Sequence, residues 1–180
     1  MACDLHGCKA SFPQLIPIFM TSALLCINRP QTAPTLAADL SAGGISVVAT
    51  VEDCSKLVQT VVLHAPDVVV CDVFLPTSAW FQALQALEQT QPCPTLVFTH
   101  DTDAIHIAQA VECGVHVYVV HGYGANRLRS LIHLAQARHQ KLQQQRQAYE
   151  EMATRFEERK AVDRAKGILM RAQSLSDDDA

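Results

Sequence analysis

In the stretch DVVVCDVFLPTS, an aspartate closes a run of β-branched residues: Asp72 follows Val68, Val69, Val70 and Cys71 between Pro66 and Pro76. A short apolar run bounded this way reads as a buried strand with side chains on both faces. In open α/β sheets the carboxyl ends of the strands line the crevice where ligands bind, so a carboxylate there is a candidate for ligand chemistry. The same carboxylate could instead cap the following turn, and the stretch alone supports both readings.

Other reactive side chains are less organised. Seven cysteines, Cys3, Cys8, Cys26, Cys54, Cys71, Cys93 and Cys113, make an odd number with no CxxC pair, and several lie in apolar runs where a thiol serves as a small hydrophobe. That usage points to a reducing, cytoplasmic compartment rather than a disulfide framework. Cys3, His6 and Cys8 fall short of the four ligands of a tetrahedral site, so neither metal nor cofactor is expected. His64, His100 and His106 lie on or beside helices, where a surface or packing role is the ordinary case. No glycine-rich phosphate loop follows a strand and no Ser or Cys sits in an elbow motif, so the chain does not read as an enzyme. The densest charge is Arg159, Lys160, Arg164, Lys166 and Arg171, a basic face in a chain of net charge −4.

These groups need a framework. At 180 residues, 49% hydrophobic and only 6% aromatic, the chain has room for one ordinary domain and an appendage, with the aliphatic bias of helices packed on a parallel sheet. Segments ALLCIN, ISVVATV, the Asp72 run, PTLVFTH and VHVYVV read as five strands, and TLAADLSAGG, CSKLVQTVVLHA, WFQALQALEQT and DAIHIAQAVECG as the helices between them. This alternation predicts an α/β fold, a doubly wound five-stranded parallel sheet with right-handed crossovers. LIPIFMTSALLCI is interrupted by Pro17 and is too short to span a bilayer, so no membrane segment is expected. Residues 1–19 carry no periodic pattern and read as a leader, with Met20 a candidate start.

From about Asn126 the pattern changes. There is no further Pro, and no Gly until Gly167, in a Gln/Arg/Glu-rich stretch that predicts one long helix or two end to end. Leu128, Leu131, Ala135, Leu142, Tyr149, Met152 and Phe156 follow a three-four spacing with Arg138 and Gln145 between them, a coiled-coil seam that a dimer would bury, with Leu142, Tyr149, Met152 and Phe156 at its centre. The domains are read as a globular unit over 20–125, a coiled-coil helix over 126–157 and a basic module over 158–180.

The strand order with an acid ending the third strand resembles the receiver domain of two-component response regulators, a flavodoxin-like fold. That family phosphorylates the aspartate matching Asp72 and holds Mg²⁺ with an acidic pair after the first strand. Asn28 and Arg29 stand where that pair belongs. Thr99 matches the family's switch hydroxyl, and His121 replaces its lysine. The resemblance therefore implies a pseudo-receiver, fold kept and chemistry dropped, with an Asp72–Arg29 pair as an electrostatic substitute for the metal.

Glu158 to Ala180, with AVDRAKGILM at its core, resembles the opening of the all-α ANTAR module, an RNA-binding antitermination unit. SLSDDDA then reads as an N-cap at Ser176 with acids in the first turn of a further helix, so the three-helix module looks incomplete and RNA binding weak. Among ANTAR proteins the chain is similar to the nitrate/nitrite-responsive antiterminators, which implies leader-transcript RNA hairpins, a homodimer and a nitrate/nitrite-sensing protein as partners, without DNA or membrane. A phosphorylation-dependent regulator using Asp72 and a dimerisation scaffold without RNA are the alternatives.

Overall fold

The computed structural model describes residues 21–28 and 32–177, the backbone alone at 167 and 169–177. Residues 1–20 and Arg29 lie outside the described residues, and with them Met20, the Cys3/His6/Cys8 group and the Asp72–Arg29 pair. Five strands alternate with helices: β1 Thr21–Ile27, α1 Ala33–Ala42, β2 Ile45–Val51, α2 Leu57–His64, β3 Val68–Asp72, α3 Ser78–Thr90, β4 Thr95–Thr99, α4 Ala104–Glu112, β5 Val117–Val120 and α5 Leu128–Asp177. The strands form one parallel sheet in the order β2-β1-β3-β4-β5. This is the doubly wound fold that the alternation predicts.

The all-apolar strands are explained by layers on both faces. On one face Leu24, Cys26, Val69, Cys71 and Val97 pack with Leu57 and Val61 of α2 and Trp80, Phe81, Leu84 and Leu87 of α3. On the other, Ala23, Leu25, Val70, Leu96 and Phe98 meet Leu36 and Leu40 of α1 and Leu128, Ile132 and Ala135 of α5. Every residue of β3 and β4 is buried, because both are flanked by strands and covered twice.

Local chemistry sets the ends. Pro34 opens α1, where its missing N–H costs no hydrogen bond. The Thr77 side chain accepts from Trp80 N at the start of α3, and Asp103 accepts from Ile105 N at the start of α4. Gly114, at φ 87°, turns α4 into β5, and a Cβ there would lie 2.5 Å from Glu88 Oε2.

Helix α5 is a single 50-residue element. Two expectations are corrected here. Leu128 and Ala135 are buried against the sheet and Leu131 packs partly against the same core, so they belong to the globular unit and not to a dimer seam: the first turns of α5 supply one of the sheet's two covers. The helix also runs through Ser176 to Asp177 without an N-cap break, since no residue between Gly167 and Asp177 forces the backbone out of helix.

The root of α5 is tied to β5 and α3. Arg138 Nη1 donates to the His116 carbonyl at 2.7 Å, His139 Nδ1 lies 3.2 Å from His116 Nε2, and Arg146 pairs with Glu88 at 2.5 Å. His116 is buried and its Nδ1 accepts from the backbone N–H of Thr95 at 3.2 Å, which assigns the neutral ring its proton at Nε2. Burial first, then the charges of His139, Arg146 and Arg138, push its pKa down to about 4. A base whose folded pKa lies below its unfolded value of about 6.5 binds fewer protons when folded, so stability is full above pH 6.5 and falls as pH drops toward 4. Urea unfolding at pH 7 and pH 4.5 should show an acid loss that His116→Gln reduces, with about 3 kcal/mol as its upper size.

Candidate functional site

Three strand ends converge at the carboxyl edge of the sheet. β1 ends beside Asn28, β3 at Asp72 and β4 at Thr99, and the register sets Ile27 against Asp72 and Asp72 against Phe98. Asp72 and Thr99 are buried, whereas Asn28 and His121 are exposed. The fold thus gathers the four described members of the expected pocket, Asn28, Asp72, Thr99 and His121, around one edge.

Their hydrogen bonds tie the edge together. The Thr32 hydroxyl, from the turn before α1, donates to Asp72 Oδ2. Asn28 N donates to the Asp72 carbonyl at 3.1 Å, and Asn28 Oδ1 accepts from Phe74 N at 3.0 Å. The Thr99 hydroxyl donates to the Phe74 carbonyl at 3.0 Å and accepts from Asp101 N at 3.1 Å. The Phe74 backbone is thereby held from both sides, which fastens the loop after β3 to the ends of β1 and β4. The cap of α3 is Thr77, so the reading of Asp72 as its cap is not needed.

Above the edge, rings follow one another. Phe74 lies 5.1 Å from His100 between centroids, and His100 lies 6.2 Å from His121. His121 follows β5 with a φ of 65°, and its N–H bonds to the Thr99 carbonyl at 3.0 Å. Asp101 accepts from Asp103 N at 2.9 Å and meets His106 Nδ1 at 2.5 Å, contacts that hold its carboxyl below the usual range. Tyr118, on β5, carries a buried hydroxyl that lies near Thr99 without a hydrogen bond of normal geometry, and burial pushes its pKa up.

These contacts decide whether a magnesium ion would fit. Magnesium takes oxygen ligands, usually one or two carboxylates with water completing the shell. Asn28 brings a neutral amide whose oxygen is engaged with Phe74, and Asp72 holds the Thr32 hydroxyl. Among the described residues no group of three His, Cys, Asp or Glu side chains converges to hold a metal. The ends of β1 and β3 thus offer the ion one carboxylate, Asp72, whose Oδ2 already holds the Thr32 hydroxyl.

Residues 28–133 match the response regulator receiver domain. The chain belongs to that family. Residues 150–180 match the ANTAR domain, so the receiver is followed by an output segment of ANTAR type. Among curated proteins the chain is 28% identical to the transcriptional regulatory protein PdtaR of Mycobacterium tuberculosis over 171 residues, 95% of this chain and 80% of that protein. It is also 28% identical to the transcriptional regulatory protein KdpE of the same organism over 117 residues, 63% of this chain and 51% of that protein. Of solved structures, the signal receiver domain of a modulated diguanylate cyclase from Desulfovibrio desulfuricans superposes with a TM-score of 0.59 at 18% identity, covering 66% of this chain and 95% of that one. A CheY-like receiver domain protein from Methanospirillum hungatei gives 0.59 at 12% identity, over 68% and 98%. These likenesses establish the fold.

Along α5 the receiver's cover gives way to a free-standing helix. Leu142, Tyr149, Met152 and Phe156 are 47%, 75%, 67% and 66% exposed, and they repeat at sevens and threes. The apolar spacing stops at Phe156, because the next positions in that register are Arg159 and Asp163. Arg159, Lys160, Arg164 and Lys166 follow, all exposed, while the side chain of Arg171 lies outside the described residues. No helix among the described residues is long and apolar enough to cross a membrane.

Asp72, Thr99, Asn28 and His121, the residues expected from the sequence, lie at this edge, and Thr32, Phe74 and Tyr118 join them without having been expected. Thr32 reaches Asp72 from 40 residues away, and no local pattern marks it. Tyr118 carried a usable signal, an aromatic three residues before His121 on the last strand.

Proposed function

We propose that the chain is an RNA-binding transcription antitermination regulator whose receiver is governed by a partner rather than by phosphorylation. The receiver and ANTAR matches support a regulatory protein of two-component type, and the likeness to PdtaR spans both parts. The observation that carries the finer reading is the state of the pocket: Asp72 is 2% exposed and bonded by Thr32, Asn28 replaces an acid, and exposed His121 stands where the family has a lysine. Phosphoryl transfer to a carboxylate brings several negative oxygens together and depends on positive charge to stabilise them. A neutral amide does not hold the cation, and an imidazole does not carry the ammonium of the lysine it replaces.

Output runs through α5. A dimer zipped by Leu142, Tyr149, Met152 and Phe156 would set two basic segments side by side, Arg159, Lys160, Arg164, Lys166 and Arg171 from each chain, against paired hairpins of a leader transcript. Hairpin binding would prevent a terminator from forming. A nitrate- or nitrite-sensing protein is the partner proposed to hold the antiterminator until ligand arrives.

Incubation with acetyl phosphate and Mg²⁺ tests the pocket reading. The intact mass should stay unchanged, and Asp72→Asn should leave RNA binding as it was. A phosphoryl adduct on wild type that is lost in Asp72→Asn would establish the phosphorylation-dependent reading in its place.

A further inference from the structure

Two thiols face each other across the sheet one residue from the candidate pocket. Cys26 of β1 and Cys71 of β3 are direct register partners, and both side chains enter the same core layer. Each thiol is the largest influence on the other's ionisation: Cys71 holds Cys26 below the usual thiol value, and Cys26 together with burial pushes Cys71 up. Neighbouring strands lie about 4.8 Å apart, inside the Cα range of about 4.4–6.8 Å that a disulfide spans. Two further groups complete the arrangement. Cys54, half-buried in the turn after β2, packs against the same layer. Trp80, the single tryptophan, is buried with its Nε1 lacking a hydrogen-bond partner of normal geometry, yet its N–H lies near enough to the Cys71 sulphur to favour the thiolate.

We infer that Cys26 and Cys71 form a reversible disulfide, a modification site that ties the ends of β1 and β3 together beside Asn28 and Asp72. With hydrogen peroxide as oxidant, the Cys26 thiolate attacks one peroxide oxygen, the O–O bond breaks, and hydroxide leaves Cys26 as a sulfenic acid. The Cys71 sulphur then attacks the Cys26 sulphur, the S–O bond breaks, and the leaving hydroxide takes the Cys71 proton as water. The proton that Cys26 gives up on ionising converts the first hydroxide to water, so the pair loses two protons and two electrons while peroxide becomes two waters. A dithiol reverses the step.

The full-length chain, treated with peroxide and then alkylated, should yield a peptide pair linking Cys26 to Cys71 on peptide mapping without reduction, with the loss of two hydrogens. Trp80 fluorescence should fall as the bond forms, because a disulfide quenches a neighbouring indole, and dithiothreitol should restore it. Cys54→Ser should retain the linkage and Cys71→Ala should abolish the fluorescence change. Recovery of Cys26 and Cys71 only as separately alkylated or overoxidised peptides from folded wild-type chain would overturn the inference, as would linkage of Cys26 to Cys54 in place of Cys71. The wild-type map decides even where the Cys71 variant folds poorly.

Discussion

Met152→Asp combined with Phe156→Asp should leave the chain monomeric with its receiver intact. Both side chains are about two-thirds exposed in the single chain, at 67% and 66%, and stand one turn apart on the seam. Burying a Met or Phe contributes about 1.5–3 kcal/mol, so the four side chains of a dimer together represent about 6–12 kcal/mol, and aspartates in their place add the cost of burying charge. The receiver's own contacts with α5 run from Leu128 to Arg146 and do not involve these positions. Sedimentation should show a dimer for wild type and a monomer for the variant, with the far-ultraviolet dichroism of the sheet retained. A variant that sediments as wild type would remove the coiled coil from the account.

Neutralising Arg159, Lys160 and Lys166 together as glutamine should be the most damaging change for RNA. All three are exposed, and the ion pair of Lys160 with Glu157 at 3.7 Å is an exposed contact worth little to stability. Each cation on a phosphate adds about 0.7–0.9 to the slope of log affinity against log salt, and near 0.1 M salt that is about tenfold in affinity. Three such contacts set an expected loss of about a hundredfold to a thousandfold and a slope lower by about 2–3. Glutamine keeps the helix, so dichroism should not change. Equal affinities and slopes would place the RNA surface elsewhere.

The sheet was legible because its signals are local. Five apolar runs such as VVVCD and LVF, each bounded by Pro, Gly or a polar turn, alternate with amphipathic stretches, and the structure places strands on all of them. The long helix was legible as a type but not in its allegiance. Leu128, Leu131 and Ala135 continue the same three-four spacing as Leu142 and Tyr149, and periodicity cannot say that the first part faces the sheet while the rest faces solvent. Ser176 illustrates the opposite limit, since a serine before acids is a good cap but also a tolerable helix residue, and here the helix continues.

The pocket divides the same way. Asp72, Thr99 and His121 stand at strand ends, where the fold itself fixes their neighbours. The contacts that give the edge its character come from loops: the Thr32 hydroxyl on Asp72, and the Phe74 backbone held between Asn28 and Thr99. Such bonds depend on how the turn before α1 and the loop after β3 fold back, information that resides in tertiary packing rather than in spacing.

The most direct measurement is a titration of a labelled two-hairpin RNA with the full chain over a range of salt, run with and without acetyl phosphate and Mg²⁺. Binding should weaken with salt and be the same in both series. Binding that appears only with the phosphodonor would contradict that expectation in favour of a phosphorylation-driven regulator, and no binding even at low salt would contradict it in favour of a dimerisation scaffold.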